Sequence, residues 1–320
     1  MSTTRVVALS GGIGGAKLAL GLYRVLVPGA LMVVANTGDD FDHLGLRICP
    51  DVDTLLYTLA GLANPELGWG RRDETWTCMR TLETYGGETW FRLGDADLAL
   101  HLERTRRLRA GESLSEIIAD IAQRLEVHAA IVPMSEDPLR TRVLTAAGEL
   151  AFQDYFVRRR CEPRVRALRF EGEERARPSA RAQAALSDTS LEAIVVCPSN
   201  PYLSIDPMLA VRGMRALLEN AAAPVVAVTP LVGGAAIKGP TAKIMAELGL
   251  TPSAITVAQH YRGLIDGFVL DERDAALAAS IGEPVHVTDT VMTSLAARER
   301  LAHEVLQFAA TLRASGAGAP

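Results

Sequence analysis

Val6-Val7-Ala8-Leu9-Ser10-Gly11-Gly12-Ile13-Gly14-Gly15-Ala16-Lys17 carries an apolar strand into a glycine-rich turn, and the apolar-periodic segment Leu18 to Leu26 that follows reads as a helix. Glycine lets a backbone close on an anion, the first turn of a helix aims unpaired N–H groups at it, and Lys17 adds positive charge. The turn is a candidate phosphate cradle. It matches neither common nucleotide signature. The pattern G-x-G-x-x-G fits Gly12 and Gly14 but meets Lys17 where a third small residue would let helix and strand pack closely. The P-loop pattern needs Gly-Lys-Ser/Thr, and the order here is Ala16-Lys17-Leu18. A tight turn without a ligand is the structural alternative, although such turns rarely call for four glycines.

Short β-branched runs recur at Leu31–Ala35, Ile194–Val196, Val225–Val228 and Phe268–Leu270, mostly separated by helix-like stretches. Alternation of this kind predicts an α/β fold, a doubly wound and mainly parallel Rossmann-like sheet whose ligands sit at the strand carboxyl ends. Residues 64 to 127 read as helical. The clearest helix carries Leu114, Ile117, Ile118, Ile121 and Leu125 on one face behind a capping box from Ser113 to Glu116. Alternating segments between Arg140 and Phe170 predict a small antiparallel β-extension. The expected organisation is a nucleotide-binding core over 1–63 and 190–313, a helical and β insertion over 64–189, and a flexible tail over 314–320.

With 320 residues, 48% of them hydrophobic, the chain is long enough for a well-buried core. A formal charge of −5 gives no footprint for nucleic acid or an anionic membrane surface. The N-terminus leads straight into a strand, and no run of about 18 apolar residues follows, so a cytoplasmic protein is expected. The four cysteines show no C-x-x-C spacing, which suggests reduced thiols and no zinc site.

Two acidic pairs fall beside the glycine turn, Asp39-Asp40 after the second strand and Asp51 with Asp53 at a helix start. Carboxylates beside a phosphate cradle would repel the ligand unless a divalent cation intervened, so Asp39, Asp40, Asp51 and Asp53 are candidate Mg²⁺ ligands. Helix capping by Asp51 or Asp53 is the alternative. Farther on, Pro198-Ser199-Asn200-Pro201 ends a strand with a hydroxyl and an amide between two prolines, and Lys238-Gly239 opens another helix as a second phosphate contact. From Trp90 to His101, rings, a cation and acids gather at a helix entry. Aromatic residues make up only 5% of the chain, so this cluster is a candidate platform for a flat ring, with core Trp and Phe and an N-capping Asp95 as the alternative.

Across these motifs, from Gly11 to Lys17, Asn36 to Asp40, Ile48 to Thr54, Leu93 to His101, Pro198 to Pro201 and Leu231 to Gly239, the chain resembles the 2-phospho-L-lactate transferase family (CofD, called FbiA in actinobacteria). The resemblance implies a dimeric, Mg²⁺-dependent enzyme of coenzyme F420 biosynthesis. A phosphorylated three-carbon acid, activated as a diphosphate with guanosine, would pass to the terminal ribityl hydroxyl of the deazaflavin Fo, and GMP would leave. Phospholactate, phosphoenolpyruvate and 3-phosphoglycerate remain open as the acid. On this reading Gly11, Gly12, Gly14, Gly15, Lys17, Ser199, Asn200, Pro201, Lys238 and Gly239 hold the nucleotide and phosphates. Asp53, Trp90, Arg92, Asp95 and His101 hold the deazaflavin, and Asp39 and Asp53 act on the hydroxyl. A protein of the same fold acting on a sugar nucleotide, or a nucleotide-binding regulator, is the alternative.

Overall fold

The computed structural model describes residues 4–66, 68–236 and 239–316. From the N-terminus, β1 (Val6–Ser10) enters α1 (Gly12–Val25), and β2 (Leu31–Ala35) follows. A hairpin of β3 (Phe41–His43) and β4 (Leu46–Ile48) leads to α2 (Pro50–Leu59), where proline in the first turn costs no hydrogen bond. Three helices follow, α3 (Thr77–Thr84), α4 (Asp95–Arg109) and α5 (Leu114–Arg124). The last begins at the Ser113–Glu116 capping box that the sequence announces. After β5 (Ala130–Pro133), the strands β6 (Arg140–Thr145), β7 (Gly148–Ala151) and β8 (Val165–Glu171) form an antiparallel sheet in the order β7-β6-β8, with a π-helical turn at Asp154–Arg158.

The chain then runs through α6 (Ala180–Leu186), β9 (Ala193–Val196), a π-helical turn at Pro201–Ile205, α7 (Asp206–Ala210), α8 (Met214–Glu219) and β10 (Val225–Val228). A small hairpin of β11 (Leu231–Val232) and β12 (Ala235–Ala236) precedes α9 (Thr241–Glu247) and α10 (Ala254–His260). The final elements are β13 (Gly267–Asp271), β14 (Val285–Thr288) and α11 (Leu295–Gly316). Residues 314–316 thus continue a helix, and the rest of the expected flexible tail lies outside the described residues.

Seven parallel strands form the central sheet in the order β14-β13-β10-β9-β1-β2-β5. Its central strands are buried at every position, as expected of a sheet covered on both faces. Leu18, Leu22, Leu55, Ile118 and Leu301 cover one face, from α1, α2, α5 and α11. Met208, Met214, Ile244 and Val257, from α7 to α10, cover the other, together with Val143, Leu150 and Val165 of the β-extension. Numbered by their order in the chain, the seven strands run 3-2-1-4-5-6-7, so the winding reverses between β1 and β9. That reversal opens a crevice at the carboxyl ends of the two strands.

The span 64–189 is not one continuous insertion. Ala130–Pro133 pairs with β2 and forms an edge of the central sheet, while α3 and α4 gather around a small separate cluster of Ile48, Met79 and Leu93. Four residues give too short an apolar run to stand out from the helical stretch before them. Among the described residues, no helix is long and apolar enough to cross a membrane.

Candidate active site

A cavity of about 760 Å³ lies at this crevice, lined at one end by the glycine turn and at the other by aromatic side chains. The turn is bound to the strand across the crevice, because the Gly11 N–H donates to Ser199 Oγ at 3.0 Å. Gly12 has φ +65° with open space where a Cβ would stand, so its backbone conformation is what calls for glycine. Gly14 and Gly15 serve close approach instead. A Cβ on Gly14 would lie 2.4 Å from the Pro198 carbonyl oxygen, and one on Gly15 would lie 2.5 Å from the hydroxyl oxygens of both Ser10 and Ser199. Gly11, Gly12, Gly14 and Lys17 line the cavity. Gly15 is placed behind them, where its lack of a side chain seats α1 against the end of β9.

Ser199, Asn200 and Gly239 line the cavity as well. The Asn200 oxygen accepts from the Tyr202 and Leu203 N–H groups, which leaves its buried amide nitrogen without a partner and free to donate to a ligand. Pro201 is buried in the π-helical turn rather than at the cavity wall, and contributes a fixed φ there instead of a ligand contact. Lys238 lies outside the described residues.

The carboxylates are buried and crowded. Asp51 Oδ1 accepts from the Gly12 N–H at 2.6 Å, so a side chain from the first turn of α2 caps α1. Asn36, fully buried, donates from its amide to Asp39 Oδ1 at 3.2 Å and to Asp51 Oδ2 at 3.0 Å. Burial pushes Asp51 up to about 6 against the pull of Asn36 and Gly12. Burial, followed by repulsion from Asp51 and Asp40, holds Asp39 well above the carboxylate range. Asp39, Asp51 and Asp53 line the cavity. Asp40 does not: it sits behind the wall near Cys49, and burial raises it to about 7. Among the described residues no three His, Cys, Asp or Glu side chains converge on one metal position, so the expected four-carboxylate set is not assembled as a cage.

Asp53 has a different partner. Arg104, fully buried, grips it with both terminal nitrogens, Nη1 to Oδ2 at 3.1 Å and Nη2 to Oδ1. The relay extends outward: His101 Nδ1 lies 3.7 Å from Asp53, His101 Nε2 lies 3.2 Å from Asp97, and the Tyr57 hydroxyl donates to Asp97 at 2.5 Å. Burial works against the charge on Asp97, but the hydrogen bonds from His101 and Tyr57 outweigh it and hold its pKa below the usual value. Asp53 is thus fixed in place by an ion pair with Arg104.

Trp90, Arg92 and His101 line the aromatic half of the cavity with Tyr57, Phe91 and Phe156. The Arg92 guanidinium lies over Trp76 at 4.3 Å. Asp95 stands apart from this cavity: its oxygens accept from the Thr77 and Cys78 N–H groups and the Thr75 hydroxyl, so it caps α3. Glu74 in return accepts from the Ala96 and Asp97 N–H groups and caps α4.

Sequence reasoning misses Arg104, Asn36 and Phe156. A signal for the first existed, since Asp97, His101 and Arg104 repeat at helical spacing on the buried side of α4 where apolar residues belong. Phe156 lies on the π-helical turn between β7 and β8, where no such signal exists.

Residues 6–287 match the family described as 2-phospho-L-lactate transferase CofD. The chain belongs to that family. It is therefore a transferase of the CofD type. A protein of Streptomyces griseus named phosphoenolpyruvate transferase is 39% identical over 319 residues, covering 97% of this chain and 100% of its own. One of the same name from Mycobacterium tuberculosis is 37% identical, covering 85% of this chain and 89% of its own. A crystal structure of a UPF0052 family member from Bacillus halodurans shares the fold, with a TM-score of 0.61 at 14% identity over 95% of this chain and 99% of its own.

Proposed function

We propose that this protein transfers a phosphorylated three-carbon acid, phosphoenolpyruvate before phospholactate or 3-phosphoglycerate, from its guanosine-diphosphate-activated form to the terminal ribityl hydroxyl of the deazaflavin Fo. GMP leaves, and the product belongs to coenzyme F420 biosynthesis. The choice of acid follows the name carried by the relatives from Streptomyces and Mycobacterium. One observation carries the rest: a single cavity joins a glycine turn at a helix N-terminus, three buried carboxylates and an aromatic wall. A nucleoside diphosphate suits the first, and a flat heterocycle suits the last.

The hydroxyl attacks the phosphorus that bears the acid, the bond from that phosphorus to the oxygen of GMP breaks, and no covalent enzyme intermediate forms. In such a transfer the protein mainly aligns groups and balances charge. Asp53, held by Arg104, accepts the hydrogen bond of the attacking hydroxyl and orients it. Asn200 and the N–H groups of the first turn of α1 beyond Gly12, whose own N–H is taken by Asp51, receive the diphosphate.

Asp39 and Asp51 fit a divalent cation, being hard oxygen donors whose crowding under burial raises both pKa values, a strain that added positive charge relieves. Mg²⁺ held there would supply charge neutralisation at the diphosphate. Asp40, behind the wall, is outside that pair. The test supplies Fo, Mg²⁺ and each of the three guanosine-linked acids in turn, and follows GMP and the Fo adduct by mass spectrometry. Turnover fastest with the phosphoenolpyruvate donor is expected, and no adduct with any donor would overturn the reading.

A further inference from the structure

Three consecutive arginines, Arg158-Arg159-Arg160, end the π-helical turn Asp154–Arg158, and they do not behave alike. Arg159 is neutralised by Asp154, Nε to Oδ2 at 3.0 Å. Arg158 and Arg160 make no ion pair among the described residues. Arg158 instead lies over the Trp90 ring at 5.7 Å, and Arg160 lines the cavity beside Phe156 and Val157. Two exposed guanidinium groups therefore stand unpaired at the aromatic end of the cavity, in a chain of net charge −5.

The backbone at this point is unusual too. Arg160 and Cys161 are consecutive non-glycine residues with φ +50° and +58°, a conformation that L-residues rarely adopt, one residue past a π-helical turn. Strain of this kind clusters where a fold aims a side chain at a ligand. Phe152 and Phe156, whose rings stack at 5.2 Å, line the same cavity as Arg160. Aromatic faces with planar cations above them suit a flat ring that carries delocalised negative charge.

We propose that Arg158 and Arg160 select the anionic form of the acceptor, a flat heteroaromatic bearing an ionised ring hydroxyl. This rests on the deazaflavin reading above and adds to it the ionisation state and the residues that read it. The donor's carboxylate is the other anion that could meet these cations, and the experiment separates the two.

The protein is titrated by fluorescence with Fo and with 7,8-didemethyl-5-deazariboflavin, which has the same ring and ribityl tail but no ring hydroxyl, from pH 5 to pH 8.5. GDP and the guanosine-linked acid are titrated in parallel. Wild type should bind Fo more tightly as its hydroxyl ionises and should prefer it over the deoxy analogue by about tenfold or more, the scale of a charge-assisted hydrogen bond. Arg158→Ala, and Arg160→Gly, which suits the positive φ, should each lose most of that preference and flatten the pH dependence, with GDP affinity and melting temperature unchanged.

A loss confined to the guanosine-linked acid relative to GDP overturns the proposal in favour of the donor carboxylate. A wild type that binds the two acceptors equally overturns it while leaving the transfer reading intact. A wild type that binds neither overturns both.

Discussion

Arg104 and Asp53 decide the character of the site at the scale of single residues. A buried guanidinium paired with a buried carboxylate gains little over an apolar pair, yet removing one partner leaves the other charge uncompensated. Arg104→Met should therefore destabilise the fold by about 3–5 kcal/mol, whereas Asp53→Asn with Arg104→Met together should recover much of that loss while turnover stays abolished. Urea denaturation of the single and double variants measures both. Gly14 offers a second test. Its Cβ would meet a backbone oxygen, which cannot swing away, so Gly14→Ala should cost about 1–3 kcal/mol as overpacking does. Gly12→Ala meets open space and should cost only the strain of its positive φ, about 1–2 kcal/mol. A Gly14→Ala variant as stable as the parent would contradict the close approach at that position.

Elements show why the sequence was legible in parts. β1, β2, β9, β10 and β13 announce themselves because each is a compact apolar run buried on both sides, and α5 because a capping box precedes a regular stripe. β5 does not, being four residues that owe their conformation to pairing with β2. The glycine turn, the paired acids, Ser199 and Asn200 were readable because they follow strands, where a doubly wound sheet puts its ligands. Asp95 reads in the sequence as part of the ring site, but its carboxylate is spent on α3, and no linear motif shows that two helices ten residues apart cap each other through Glu74 and Asp95. That exchange makes a prediction. Asp95→Ala should lower the melting temperature as a lost cap and weaken acceptor binding through displacement of α3 and α4 while leaving GDP binding unchanged, as differential scanning and paired titrations would show.

For the whole molecule, the buried carboxylates set the pH response. Asp40 is held at about 7 and Asp51 at about 6 by burial, against 3.8 ordinarily, and Asp39 is raised well above it, so the folded chain binds more protons than the unfolded one across this window. Stability contributed by these groups is thus full at low pH and falls as pH rises from about 4 to about 7. Metal-free protein should melt lower at pH 8 than at pH 5.5. Asp40→Asn should reduce the difference, and Mg²⁺ should raise the melting temperature mainly at pH 8. A melting temperature that climbs with pH, or that Mg²⁺ leaves unmoved at pH 8, would contradict the crowded-carboxylate account.

The arrangement of two ligands in one cavity is the central claim, and it follows from the reversal of winding between β1 and β9 with the aromatic wall set opposite. A crystal structure of the protein with GDP and Fo bound together tests it most directly. The account predicts density for the diphosphate against Gly12, Gly14 and Asn200, with the deazaflavin ring among Trp90, Phe91 and Phe156 and its ribityl hydroxyl turned toward Asp53. Fo lying on the glycine turn, or GDP seated on the aromatic wall, would contradict it.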